Sequence, residues 1–320
     1  MRGLRESPAV GDGLWTECGL PGRAAERKRA FACARACWPD GTAAEQELLA
    51  LHIALITALD DALEATPPAP TVADEYRSLL PWHAAAGSAN RLTATDARAP
   101  IRAALAHLER SLAYGAGPTA GSSPSAMEWW RHEAEQMVAA AWQEGRWRSG
   151  GPLPDQESYL AVAELSIGAS WLTATLLLLD GGVQAPAAGS PFLAATGAVA
   201  TAIRVANDLC DSKRERREGK VQLLFLRARA LQARGYRARY AHRRARAEVR
   251  AMLAERLARA RALLDPCRWT GSHRLRSGLA RMLDVALALY GPGPRAADAS
   301  GRGRTLSAGC EQVARVGRPA

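Results

Sequence analysis

From about residue 23 to residue 290 no segment alternates apolar and polar residues with a period of two; Ala, Leu and Arg instead fill long runs between turn signals. A strand with one solvated face needs that alternation, whereas a helix needs apolar residues three and four apart. The chain therefore reads as all-α. Breakers and periodicity place helices at roughly 23–37, 42–65, 72–87, 96–114, 125–148, 155–180, 191–219, 221–264 with a break near Gly235, and 272–290. The connectors carry turn residues, as in Trp38-Pro39-Asp40-Gly41 and Thr66-Pro67-Pro68. None is long enough to separate two domains. The organisation expected is a flexible segment over 1–22, one helical domain over 23–290 that encloses a central cavity, and a disordered Gly, Pro and Arg-rich tail over 291–320.

The net charge of +10 raises a polyanion as partner. Residues 227–261 carry twelve Arg against Glu248 and Glu255, so the whole excess lies there. Those Arg recur on nearly every helical face, which favours a solvated helix over an RNA-binding or membrane-surface stripe. The charge-free runs 165–179 and 181–203 are diluted by Ser, Thr and Gly, so no membrane span is expected. Six Cys without a CxxC pair and no leader-like start imply reduced thiols and a cytoplasmic location. Cys33 and Cys37 lack the second half of a zinc site.

Two acidic segments break the apolar pattern. The helix 42–65 is apolar through Leu59 and then presents Asp60, Asp61 and Glu64. Asp60 and Glu64 share a face, with Asp61 about 100° round. Carboxylates at a helix C-terminus oppose the macrodipole unless a cation compensates, and hard divalent cations take such oxygen ligands. A solvated helix end before Pro67 would read the same way. The second segment, Arg204 through Glu215, sets Asn207, Asp211 and Glu215 four residues apart on one stripe. Arg204, Lys213 and Arg214 flank it and supply donors for an anion. A surface lattice of ion pairs would share that pattern.

Together and in this order, Asp60-Asp61-Ala62-Leu63-Glu64 and Asn207, Asp211, Glu215 resemble the two metal-binding motifs of class I terpene synthases. The resemblance covers roughly residues 25–290. Ser158-Tyr159-Leu160 followed by Ser166-Ile167-Gly168 resembles the helix that breaks beside the substrate in that family, with Gly168 at the break. Trp129, Arg131, Glu144, Trp147 and Glu218-Gly219-Lys220 resemble bacterial diterpene synthases akin to kaurene synthase. The chain departs from the family in placing Asp211 where a hydroxyl ligand is usual, in having no Arg over 155–180, and in setting Leu289 before Tyr290 where an Arg-Tyr pair is usual.

The resemblance implies a class I terpene synthase helical bundle, a carbon–oxygen lyase acting on a prenyl diphosphate. It implies Mg2+ in a cluster of three held by Asp60, Asp61, Glu64, Asn207, Asp211 and Glu215, with Arg204, Lys213, Arg214 and Tyr290 toward the diphosphate. The carbocation would form in an apolar cavity near Gly168, with Trp142, Trp171 and Phe192 as candidate aromatic faces; ordinary packing explains those aromatics equally well. The likeness to kaurene-synthase-like enzymes implies a C20 substrate, geranylgeranyl diphosphate or a bicyclic diphosphate supplied by an upstream class II cyclase or prenyltransferase; with no Asp-x-Asp-Asp motif the chain itself should not start cyclisation by protonation. The alternatives are the C15 substrate farnesyl diphosphate, a chain-elongating prenyltransferase, and an Arg-rich RNA or membrane-surface binder. A nucleic-acid partner is not expected; the resemblance leaves a homodimer open, since dimers are common in the family.

Overall fold

In the computed structural model the described residues are 24–64, 80, 82, 99–116, 125–182, 184–267, 269 and 271–290; of Ala24, Ala25, Glu64, Gly115, Ala116, Asp211 and residues 213–216 only the backbone is described. The helices are α1 (Ala24–Cys37), α2 (Ala43–Glu64), α3 (Ala99–Ala116), α4 (Ala126–Arg148), α5 (Gln156–Ser166), α6 (Ala169–Leu179), α7 (Pro191–Arg217), α8 (Leu223–Ala233), α9 (Ala238–Leu263) and α10 (His273–Tyr290). Among the described residues no strand forms beyond one bridge between Ser125 and Gln184. The expected segments 1–22 and 291–320 lie outside the described residues, as does the helix expected over 72–87 apart from Leu80 and Trp82.

Helix starts follow local chemistry. Ser125 accepts from the Glu128 N–H at 3.1 Å while the Glu128 carboxylate accepts from the Ser125 N–H at 2.6 Å, a reciprocal cap that begins α4. Thr42 and Glu45 form the same exchange ahead of α2, and the Asp155 carboxylate caps α5 through the Ser158 N–H at 2.7 Å. Each satisfies backbone donors that the first turn leaves orphaned. The expected break near Gly235 separates α8 from α9, with Gly235 at φ 89°.

The run 155–180 is interrupted at Gly168, which adopts φ 72° and divides α5 from α6. A Cβ there would lie 3.0 Å from the Ile56 methyls of α2, so both conformation and space select glycine. By length and hydropathy the stretch 156–179 would be able to cross a membrane, yet 61% of its apolar window is buried in the bundle. Packing against α2, α4 and α7 accounts for its apolar character.

Three apolar clusters hold the helices together. One joins α1, α6, the first half of α7 and α10; a second joins α2, α3, α4 and α6; a third joins α5, the second half of α7, α8 and α9. Trp38 lies at the bottom of the first, so close to Gly278 of α10 that a Cβ on Gly278 would meet its ring at 2.6 Å. Arg274 lies over the same indole, 4.3 Å from the ring centroid, and is ion-paired to Glu45.

In the second cluster the buried His52 meets the Thr175 hydroxyl at 2.6 Å, and that hydroxyl also accepts from Trp130 Nε1 at 2.8 Å. Burial pushes the His52 imidazole down to about 3 from its ordinary 6.5. The folded state therefore binds fewer protons than the unfolded state between those values, so His52 withdraws stability as pH falls from about 6.5 toward 3. Chemical denaturation across that window should show a shallower loss for His52→Leu than for the parent protein. Gly168→Ala should lower unfolding free energy by about 1–3 kcal/mol, through left-handed strain and the Ile56 contact.

Candidate functional site

The relative heights of the two acidic segments follow from contacts along the α5–α6 pair. On one side, His52 of α2 meets Thr175 and Ile56 meets Gly168, so α2 runs antiparallel to α6. Its last turn, with Asp60, Asp61 and Glu64, continues past Gly168 to the level of α5. On the other side, Thr201 of α7 donates to Glu164 at 2.6 Å and Tyr159 donates to Asp208 at 2.8 Å. Hence α7 runs antiparallel to α5 and carries Asn207 to the level of Tyr159. Both acidic segments thus lie at the α5 end of the pair.

Asp60 is half-buried and Asp61 exposed. Asn207 is only 9% exposed, yet its side chain hydrogen-bonds to no described residue. Its amide is not among the buried polar atoms without a partner, so it borders water and is open to a ligand from outside the chain. Glu64, Asp211, Lys213, Arg214 and Glu215 continue the same helical turns, but their side chains lie outside the described ones. Among the described side chains no three His, Cys, Asp or Glu gather at metal-binding spacing. The described donors are all oxygens, the set that hard divalent cations prefer.

Arg204 occupies a different position from the one its sequence context suggests. It is 8% exposed and points into the bundle. Its Nε donates to Asp208 Oδ1 at 3.0 Å, Nη2 to the Tyr159 hydroxyl at 2.5 Å and Nη1 to Ser166 Oγ at 3.4 Å, with Glu144 Oε1 at 3.3 Å from Nη1. Asp208 is fully buried and accepts three donors: Arg204, Tyr159 and the Leu223 N–H at 3.1 Å. Ser166, at the end of α5 beside the break, donates to Glu144 at 2.9 Å. Burial raises the Glu144 carboxyl above the usual range, against the pull of Arg204. Burial likewise holds the Tyr159 phenol well above its ordinary value.

Asp208, Tyr159 and Ser166 are the residues that stripe reading passes over. Asp208 stands one residue from Asn207 and four from Arg204, and that i, i+4 spacing of opposite charges at the end of a charge-free run was the available signal.

The aromatic candidates do not share one wall. Trp171 is buried against His52 and Trp130, with ring centroids at 4.1 and 5.4 Å. Trp142 packs against the same cluster with Arg146 5.1 Å from its ring centroid. Phe192 stands at the opposite end of α7 from the acidic segment, edge-on to Trp129 and Trp269 at 5.9 and 6.0 Å. Tyr290 ends α10 where the first and third clusters meet. A cleft of about 350 Å³, lined by Leu264, Asp265, Ala280 and Asp284, lies between α9 and α10. Because Ala260 and Leu264 share a cluster with the first half of α7, that cleft is remote from the acidic segments.

Residues 52–259 match the family described as terpene synthase family 2, C-terminal metal binding. The chain belongs to the terpene synthase family. Members of this family are enzymes, terpene cyclases that act as lyases on diphosphates, and the all-α bundle is theirs. The fold is similar to that of 2-methylisoborneol synthase from Streptomyces coelicolor A3(2) in complex with Mg2+ and 2-fluoroneryl diphosphate, at 21% identity and a TM-score of 0.62 over 85% of this chain and 86% of that one. Wild-type cucumene synthase matches at 20% identity and a TM-score of 0.59 over 85% and 90%. Abietadiene synthase from Abies grandis matches at 14% identity and a TM-score of 0.70, over 95% of this chain and 38% of that longer one. No curated protein sequence matches this terpene synthase.

Replacing Asp208 by Ala removes the acceptor from three donors and takes a carboxylate counter-ion from the buried Arg204. Breaking a buried ion pair from one side costs about 3–5 kcal/mol. Asp208→Ala should fall in that range by urea denaturation, against less than about 1 kcal/mol for exposed Arg239→Ala on α9.

Proposed function

We propose that this terpene synthase is a magnesium-dependent class I cyclase which ionises an allylic prenyl diphosphate, cyclises the resulting carbocation and releases diphosphate. The observation that carries the reading is the common level of two oxygen-rich helix ends, Asp60–Glu64 on α2 and Asn207–Glu215 on α7, within a chain of this family. Asp60, Asp61, Glu64, Asn207, Asp211 and Glu215 would hold the metal, three ions by family resemblance. Bound Mg2+ supplies Lewis-acid neutralisation of the departing diphosphate.

The chain's own residues do the rest. Lys213 and Arg214, on the same last turns of α7, provide cationic donors for the diphosphate oxygens, and Tyr290 at the end of α10 adds a hydroxyl. Asp211 in place of a neutral hydroxyl adds a negative charge, which strengthens attraction for a divalent cation. The bend at Gly168 brings backbone close to Ile56, on the turn of α2 just before Asp60. Apolar surroundings keep water from the carbocation, and Trp142 and Trp171 are the candidate aromatic faces, whereas Phe192 lies at the far end of α7 from the acidic segment.

The substrate is a C20 diphosphate, geranylgeranyl diphosphate or a bicyclic diterpenyl diphosphate from an upstream cyclase, on the likeness of Trp129, Arg131, Glu144 and Trp147 to diterpene synthases. A shorter prenyl chain is the second reading. It is supported by the nearly end-to-end match to 2-methylisoborneol synthase, whose complex holds 2-fluoroneryl diphosphate. A cytoplasmic location fits both, and the family resemblance leaves a homodimer open.

Incubation with C10, C15, C20 and bicyclic C20 diphosphates plus Mg2+, with products read by mass spectrometry, decides between them; a C20 hydrocarbon or alcohol is expected. Asp60→Ala, Asn207→Ala and Glu215→Ala should each reduce turnover at least about a hundredfold while leaving far-ultraviolet circular dichroism unchanged. Equal product yield from all three variants would exclude the assignment.

A further inference from the structure

The side chain of Asn207 makes no hydrogen bond to a described residue, so its own contacts do not aim it. Its direction is set by the rotation of α7 about its axis. The next residue, Asp208, is fully buried and fastened at three points to neighbouring elements: Tyr159 of α5, the Leu223 N–H at the start of α8, and Arg204 one turn earlier on α7. Arg204 extends the fastening to Glu144 of α4 and to Ser166 beside the α5–α6 break.

We infer that Tyr159, Arg204 and Asp208 are positioning residues that fix the rotation of α7, and thereby the direction in which the metal-binding stripe that begins at Asn207 faces. The inference rests on the cyclase reading and deepens it, because it assigns Arg204 to the metal ligands rather than to direct contact with the diphosphate.

The magnitude is sufficient. Side chains project about 5–6 Å from the axis of an α-helix, so a rotation of roughly 10° moves a ligand atom by about 1 Å. Magnesium requires near-octahedral geometry at short, narrowly defined metal–oxygen distances, and a displacement of that size breaks a coordination bond. All three ligands lie within eight residues of one another on the same helix, so one rotation misplaces them together. Groups that orient metal ligands from behind commonly alter metal affinity by about 10–100-fold when removed.

The network also meets the break in the bundle. Ser166 ends α5, and Gly168 begins α6 one residue beyond Ile167. A guanidinium shared between Ser166, Tyr159 and Asp208 therefore ties the backbone beside Gly168 to the helix that carries the second metal segment. Arg204 holds this place by its planar fork: Nε, Nη1 and Nη2 point to separate partners on α7, the end of α5 and the first turn of α5. A lysine would keep the charge and lose the three-way geometry.

Two mild variants of the full chain test this. Tyr159→Phe keeps the ring packed against Trp147, 6.1 Å between centroids, and removes one donor to Asp208. Arg204→Lys keeps the charge. The first readout is thermal stabilisation by Mg2+ at saturating inorganic diphosphate, titrated in the metal, and the second is the Mg2+ dependence of turnover. For Tyr159→Phe and Arg204→Lys the Mg2+ midpoint should rise roughly tenfold or more in both readouts, whatever change occurs in the metal-free melting temperature. A midpoint equal to that of the parent protein in the folded fraction of either variant overturns the inference and leaves the cyclase reading standing. If one variant does not fold, the other decides by the same criterion. A parent protein that Mg2+ and diphosphate do not stabilise overturns both.

Discussion

The Asp208 carboxylate is fully buried and accepts a guanidinium, a phenol and a backbone N–H. An isolated charge in that position would be prohibitively unstable, so the elements around it are obliged to deliver donors. Tyr159 must face inward from α5, Arg204 must curl back along α7, and the chain must turn sharply enough after α7 to bring Leu223 to the carboxylate. Val205, Leu209, Leu223 and Leu226 seal this place within an apolar cluster. The low polarity strengthens each bond and raises the penalty for losing one. The arrangement of α5, α7 and α8 is thus fixed by electrostatic need as well as by apolar burial.

The other half of the bundle is ordered by packing. His52, Thr175, Trp130 and Trp171 interlock α2, α4 and α6, with His52 kept neutral by its surroundings. Glycine at 168 lets α2 approach the bend. These contacts carry the end of α2 past the break, while the Asp208 network carries the end of α7 to the same level. Two dissimilar devices, one apolar and one ionic, therefore bring the acidic helix ends to one end of the α5–α6 pair.

Most of this architecture was readable in the sequence because it depends on local signals. Thr42, Ser125 and Asp155 announce helix starts, and Gly168 and Gly235 mark the interruptions, all through backbone requirements that act within a few residues. The spacing of Asp60 to Glu64 and of Asn207 to Glu215 is likewise local. Arg204 was not legible: a cation beside an acidic stripe looks as though it faces solvent, and only the tertiary contacts with Tyr159, Ser166 and Glu144 show that it faces inward. Asp208 falls between the steps of a four-residue stripe and so escapes a reading based on that period. Trp171 and Phe192 were grouped by residue type, yet they stand in separate surroundings, because helical periodicity does not say which neighbour covers which face.

The central claim is that the ends of α2 and α7 form one metal and diphosphate site in this terpene synthase. Anomalous diffraction from crystals of the full chain grown with Mn2+ and inorganic diphosphate tests it most directly. The account predicts metal peaks between Asp60 on α2 and Asn207 on α7, with diphosphate density beside Lys213 and Arg214. Peaks confined to the Arg-rich α8–α9 surface or to the cleft between α9 and α10, with none at Asn207, would contradict it.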